Sequence, residues 1–215
     1  MQTRRSPLKL TMRTIPMLLI LLFGGAGLAR AQGVSAYFGL GGATDKSNGQ
    51  DIDPPLGDIG PRMGGVFGKF GADFMLRPQF GVGGEYTFRF AQMDYAPSEG
   101  VKLRPTFYDF NAIYHPISNK KVVPEFQGGI GGADMKFYLS GQSCVTITAC
   151  STQSQYLQSS NHFQIHLSAG VRVYVRGGLY VRPQVDVHWV HNFNEFGSGW
   201  VPEYGAVVGY TFGGR

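Results

Sequence analysis

His166 and Ser168 stand two apart in "HLS", and Asp186 lies on the next alternating segment. These are the residue types of a base, a nucleophile and an acid that orients the base. Residues two apart on a strand point the same way, and Asp186 shares their expected face. Catalysis would still require His166 within hydrogen-bond reach of Ser168. His162 and His166 are four apart, which on a helix is metal-ligand spacing. On a strand rising about 3.3 Å per residue they lie roughly 13 Å apart and cannot chelate one ion together. They are expected to be polar lining. Cys144 and Cys150, the only cysteines, bracket "CVTITAC". In an oxidising compartment they are expected to form a disulfide. No zinc spacing, phosphate loop or glycosylation sequon is present, and the glycine clusters "GGIGGA" and "GVGG" lack the helix that a nucleotide motif requires. No metal, no cofactor and no enzymatic activity are expected.

A second pattern is electrostatic. Glu85, Arg89, Asp109, Glu125, Arg172, Arg182 and Asp186 each occupy the polar parity of a segment that alternates with period two. Turned toward one another, arginines and carboxylates would pair. These residues form the expected internal charge network. What must position them is visible in "FQIHLSAGVRVYV", Phe163 to Val175. Every odd position there is Phe, Ile, Leu, Ala or Val, and every even one is Gln, His, Ser, Gly, Arg or Tyr.

Seven further segments repeat that alternation. They are Val34–Leu40, about Gly64–Leu76, Phe80–Gln92, a segment carrying Tyr108, Phe110, Ala112 and Tyr114, about Val122–Tyr138, Leu179–Trp189 and Trp200–Phe212. In the fifth, the phase is open past Gly132, where a bulge would fit. The connections alternate as well. "RPQ", "HPISNKK" and "RGG" are tight, whereas Gly41–Pro61 and Ser140–Ser160 read as long polar loops. Short turns at one rim and long loops at the other describe a transmembrane barrel.

Residues 1–31 carry Arg4, Arg5, Lys9 and Arg13 ahead of "MLLILLFGGAGLA", and end in "ARA". That is the pattern of a cleaved secretory signal peptide, leaving residues 32–215 as one barrel domain. Of 19 basic and 14 acidic residues, five basic and no acidic ones lie in the leader, so the remainder is balanced. The basic pI belongs to the precursor and does not argue for a nucleic-acid partner. The 32 glycines disfavour helices. A chain of this kind enters a membrane as closed β-structure.

The expected fold is all-β: an eight-stranded antiparallel up-and-down barrel. Its apolar parity faces lipid, because the other parity mixes glycine with charge, which suits a lumen just wide enough for side chains. Phe74, Phe80, Tyr114, Trp189, Trp200 and Phe212 suggest interfacial girdles. With its leader, eight strands, three tight turns and closing "YGAVVGYTF", the chain resembles the OmpA/OmpX-type small outer-membrane barrels. The resemblance implies a place in the bacterial outer membrane, among its lipid and lipopolysaccharide. It also implies delivery by the barrel-assembly machinery through a C-terminal signal, here Gly205, Val208, Tyr210 and Phe212; the family usually ends on the aromatic, whereas "GGR" follows. "HLS" is similar to the His-x-Ser of lipid A deacylases, with Ala169 where those enzymes carry Asn. The expected role is structural and surface-interacting, through loops whose external partner the sequence does not name. A narrow solute channel is the alternative, followed by a lipid A-modifying enzyme.

Overall fold

The computed structural model describes residues 33–46, 51–53, 58–59, 61, 63–96, 99–117, 121–146 and 149–213, with backbone only at 51–53, 58–59, 142–146 and 149–152. The leader, residues 1–31, lies outside the described residues. The chain forms β1 (Gly33–Ala43), β2 (Asp51–Asp53), β3 (Asp58–Ile59), β4 (Phe67–Met75), β5 (Phe80–Arg89), β6 (Met93–Ala96), β7 (Val101–Tyr114), β8 (Val122–Thr146), β9 (Ala149–Arg176), β10 (Leu179–Val190) and β11 (Trp200–Phe212). Among the described residues no helix is long and apolar enough to cross a membrane.

Eight of these strands make one antiparallel ring in the order β5-β4-β1-β11-β10-β9-β8-β7, closed by pairing of β5 with β7. Closure removes every sheet edge within the wall, which is what a lipid environment demands of backbone groups. The first and last wall strands meet, with Val34 opposite Phe212 and Leu40 opposite Ala206. β2 and β3 pair apart from the ring, and β6 extends it beside the start of β7. At the tight β9–β10 turn, Gly177 has a φ of 55°. Glycine reaches that left-handed region without a Cβ penalty, and two-residue hairpins need it.

The alternation sorts the wall into two faces. Phe110 is 73% exposed and Leu167 58%, and Phe38, Ile130, Val185 and Val208 are likewise open. A belt this apolar is unfavourable in water by about 25 cal/mol per Å² and is accommodated by hydrocarbon. Phe80 and Tyr114 pack at 5.0 Å, and Tyr210 and Phe212 at 4.8 Å, at the short-turn rim. Trp189 and Trp200 face each other across β10 and β11 toward the other rim.

Two expectations about the long connections change. Ser140–Ser160 is no loop: β8 and β9 continue as a paired ribbon that places Cys144 opposite Cys150. Gln153 to Ser159 are all exposed, so no buried parity marks that stretch, although the backbone ladder continues regardless of side chain. The segment around Tyr108 likewise begins earlier, at Val101. In β8 the register runs unbroken through Gly132 and shifts only beyond it, between Phe137 and Tyr138 and between Cys144 and Thr146.

Candidate functional site

Inward-facing positions fill the lumen in three layers. Near the short turns, Tyr37, Tyr180 and Val207 pack together against Tyr174. The Arg182 guanidinium lies 4.3 Å over the Tyr37 ring and that of Arg172 4.8 Å over Tyr180. These rings fit because small residues face them. A Cβ on Gly71 would overlap the Tyr37 hydroxyl, and one on Gly209 would overlap the Tyr180 ring.

The middle layer is ionic. Glu125 on β8 accepts from Arg172 and Arg182, and lies 2.7 Å from His115. Gln127 also donates to it at 2.7 Å. Arg172 also pairs with Asp73, while Arg182 reaches Glu85 at 3.5 Å. Lys69 sits among three carboxylates, 2.8 Å from Glu85 and 3.0 Å from Glu203, and is bonded to Asp186. His166 bridges Asp109 at 3.1 Å and Asp186 at 3.3 Å. His188 lies 3.3 Å from Glu203. All of these side chains are buried. Charges taken out of water persist only when paired and hydrogen-bonded, and here the Arg, Lys and carboxylate partners of each pair come from different strands.

The structure therefore gathers Glu85, Asp109, Glu125, Arg172, Arg182 and Asp186 into one lumen network. Arg89 does not join it. Its residue ends β5 at the rim away from the short turns, and its half-buried side chain donates to the carbonyls of Gly64, at 2.8 Å, and Ala91. Lys69, Asp73, His115, His188 and Glu203 complete the network. Their signal was inward parity alone, which they share with neutral neighbours.

The third layer is apolar. Phe67, Leu103, Phe107, Ala133, Met135 and Val201 from the wall cluster with Met63, Phe193 and Phe196 from the long connections. Phe193 and Phe196 stack at 4.8 Å, and Phe107 stacks on His188 at 4.7 Å. A lumen of glycine and charge alone is thus corrected: its outer third is a hydrophobic cap. The clue was aromatic and Met residues on the inward parity, at Phe67, Phe107 and Met135.

His166 and Ser168 share a face but do not meet. Both His166 ring nitrogens are engaged, Nδ1 by Asn111 and Asp109 and Nε2 by Asp186. The pair points inward, away from any lipid substrate. Gly205 of the expected assembly signal faces the lumen, while Val208, Tyr210 and Phe212 face out on β11, which pairs with both β1 and β10. The side chains of Cys144 and Cys150 lie outside the described residues, so only their backbone opposition is seen.

No family model matches the chain, and no curated protein does either. Solved structures do. Neisserial surface protein A, NspA, is 14% identical with a TM-score of 0.54, covering 84% of this chain and 96% of its own. The attachment invasion locus protein Ail of Yersinia pestis, in complex with the heparin analogue sucrose octasulfate, is 16% identical with a TM-score of 0.49, covering 84% and 99%. The N-terminal β-barrel domain of Pseudomonas aeruginosa OprF is 11% identical with a TM-score of 0.45, covering 84% and 99%. At such identities the likeness is one of fold. In ring closure, belt and filled lumen, the chain has the fold of a small transmembrane β-barrel, similar to that of NspA.

Proposed function

We propose that this protein is a closed outer-membrane barrel that acts by surface interaction, through the ribbon that β8 and β9 raise beyond the wall. The observation that carries this reading is that, among the described residues, the ribbon's two outer edges pair with no further strand. β7 follows β8 only as far as Leu139, and β10 follows β9 only as far as Gln164. Past those points the ribbon offers backbone donors and acceptors along its flanks, and exposed Gln153 to Ser159 along its faces. Extended peptides recognise such edges by strand addition, with side chains supplying specificity. On this reading the barrel performs no catalysis, because His166 is committed to carboxylates rather than to Ser168. Insertion by the barrel-assembly machinery through β11 is part of the same proposal, as is a surrounding of lipopolysaccharide.

The test replaces residues 141–157 with a two-residue turn and compares binding of both proteins, in lipid nanodiscs, to epithelial cells and to extracellular matrix. Binding should fall to background in the shortened form while its gel mobility remains that of a folded barrel. Unchanged binding would remove the ribbon from the proposal.

A further inference from the structure

His166 on β9 and His188 on β10 are direct cross-strand partners, with rings stacked at 4.8 Å and 18°. Each presents Nε2 to a carboxylate, His166 to Asp186 and His188 to Glu203, both at 3.3 Å. The two Nδ1 atoms differ in their surroundings. That of His166 lies 3.1 Å from Asp109 Oδ1 and 2.9 Å from Asn111 Oδ1. That of His188 is buried without a hydrogen-bond partner. Donor atoms of Asp109, His166 and His188 lie within 4.8 Å of one another, and all three residues are buried.

The charge around this point is unbalanced. Toward the short turns, Arg172 and Arg182 meet Asp73 and Glu125. Above them, Glu85, Asp186 and Glu203 surround Lys69 and Asp109 lies against His166, with Arg182 pairing only with Glu85 among these four carboxylates. A further cation would offset that surplus. Protons on both imidazoles would supply it only by stacking like charges ring on ring and burying them. A single ion held by both Nδ1 atoms, with one ring turned out of the stack so that each lone pair points at it, supplies it while leaving both rings neutral.

We propose that Asp109, His166 and His188 bind one divalent transition-metal ion, with zinc the best fit to two imidazoles and a carboxylate. Asp186 and Glu203 then hold the Nε2–H groups, as carboxylates do behind metal-bound histidines. Asn111 Oδ1 is the neighbouring further oxygen. Spacing along the chain could not reveal this set, because its donors come from β7, β9 and β10. Phe107 and the apolar cap cover His188, so the ion enters as the barrel closes.

The full chain is expressed and extracted from outer membranes, and a parallel sample is refolded in detergent with Zn²⁺, Co²⁺, Mg²⁺ or EDTA. Folding is verified by heat-modifiable gel mobility. After desalting into EDTA, about one zinc per folded chain should remain, and cobalt should give the visible absorption of a low-symmetry nitrogen–oxygen site. Retention should drop by roughly tenfold or more in His188→Gln and Asp109→Asn, and persist in Ser168→Ala. Folded wild-type protein that retains neither zinc nor cobalt would overturn the proposal, as would retention unchanged in His188→Gln. If the variants do not fold, the wild-type metal content and cobalt spectrum decide by themselves.

Discussion

Neighbouring residues on one strand can differ sharply in what they tolerate. Leu167 is open to lipid near the middle of β9, and Ser168 beside it points into the lumen. Leu167→Arg should cost about 2–4 kcal/mol, the depth-dependent cost of a cation on the lipid face. Ser168→Ala should be nearly silent. Urea titration in lipid vesicles, read by gel mobility, ranks the two; equal effects or the reverse order would refute the facing assignment. In the lumen, Arg172 is buried between Glu125 and Asp73. Arg172→Met leaves both carboxylates short of a partner and should cost about 3–5 kcal/mol. Arg89→Met, at the rim, should cost far less in the same assay. Cys144 and Cys150 are opposed across the ribbon. A bond between them would close a short loop worth about 2 kcal/mol in the chain-entropy account, confined to the ribbon. Peptide mass spectrometry without reduction should find the two linked, and alkylation of both thiols in exported protein would count against it.

Strands were legible wherever one face meets lipid and the other does not. β9 from Phe163, β10 and β11 announce themselves because a period-two contrast requires two environments. The ribbon was not legible for the same reason: Gln153 to Ser159 are exposed on both parities, so "QSQYLQS" has no contrast to read. β7 was underestimated because Leu103 and Phe107 turn inward to the cap, giving apolar residues on both parities. In the network, Arg172 and Asp186 could be anticipated from parity, but Lys69 at the centre of three carboxylates could not. Parity gives direction, whereas height in the lumen depends on strand stagger, which only the ring fixes. The ribbon's separateness has a consequence for stability. Among the described residues no wall strand pairs with it beyond Leu139 and Gln164, so shortening it at 141–157 should leave the unfolding midpoint of the wall almost unchanged. A large drop in that midpoint would show that the ribbon is integral to the wall.

The whole molecule is closed by three unlike barriers in series. Tyr37 and Tyr180 narrow the end at the short turns, the ionic network spans the middle, and Phe67, Phe107, Met135, Phe193 and Phe196 seal the outer third. An eight-stranded ring encloses only enough space for such side chains, and among the described residues these three layers fill it. A permeating ion would have to cross the apolar cap without ligands and then displace one partner of a buried pair, and each step is costly. Reconstituted wild-type protein should therefore carry little or no steady current in planar bilayers. The layers can be separated by substitution. Phe196→Ala removes packing from the cap and should destabilise the barrel by about 3–5 kcal/mol, yet the network beneath it remains. The variant should unfold more easily and still not conduct. Large, stable, ungated currents from the wild type would refute closure outright; currents appearing only in Phe196→Ala would show that the cap alone, and not the charged layer, keeps the lumen shut.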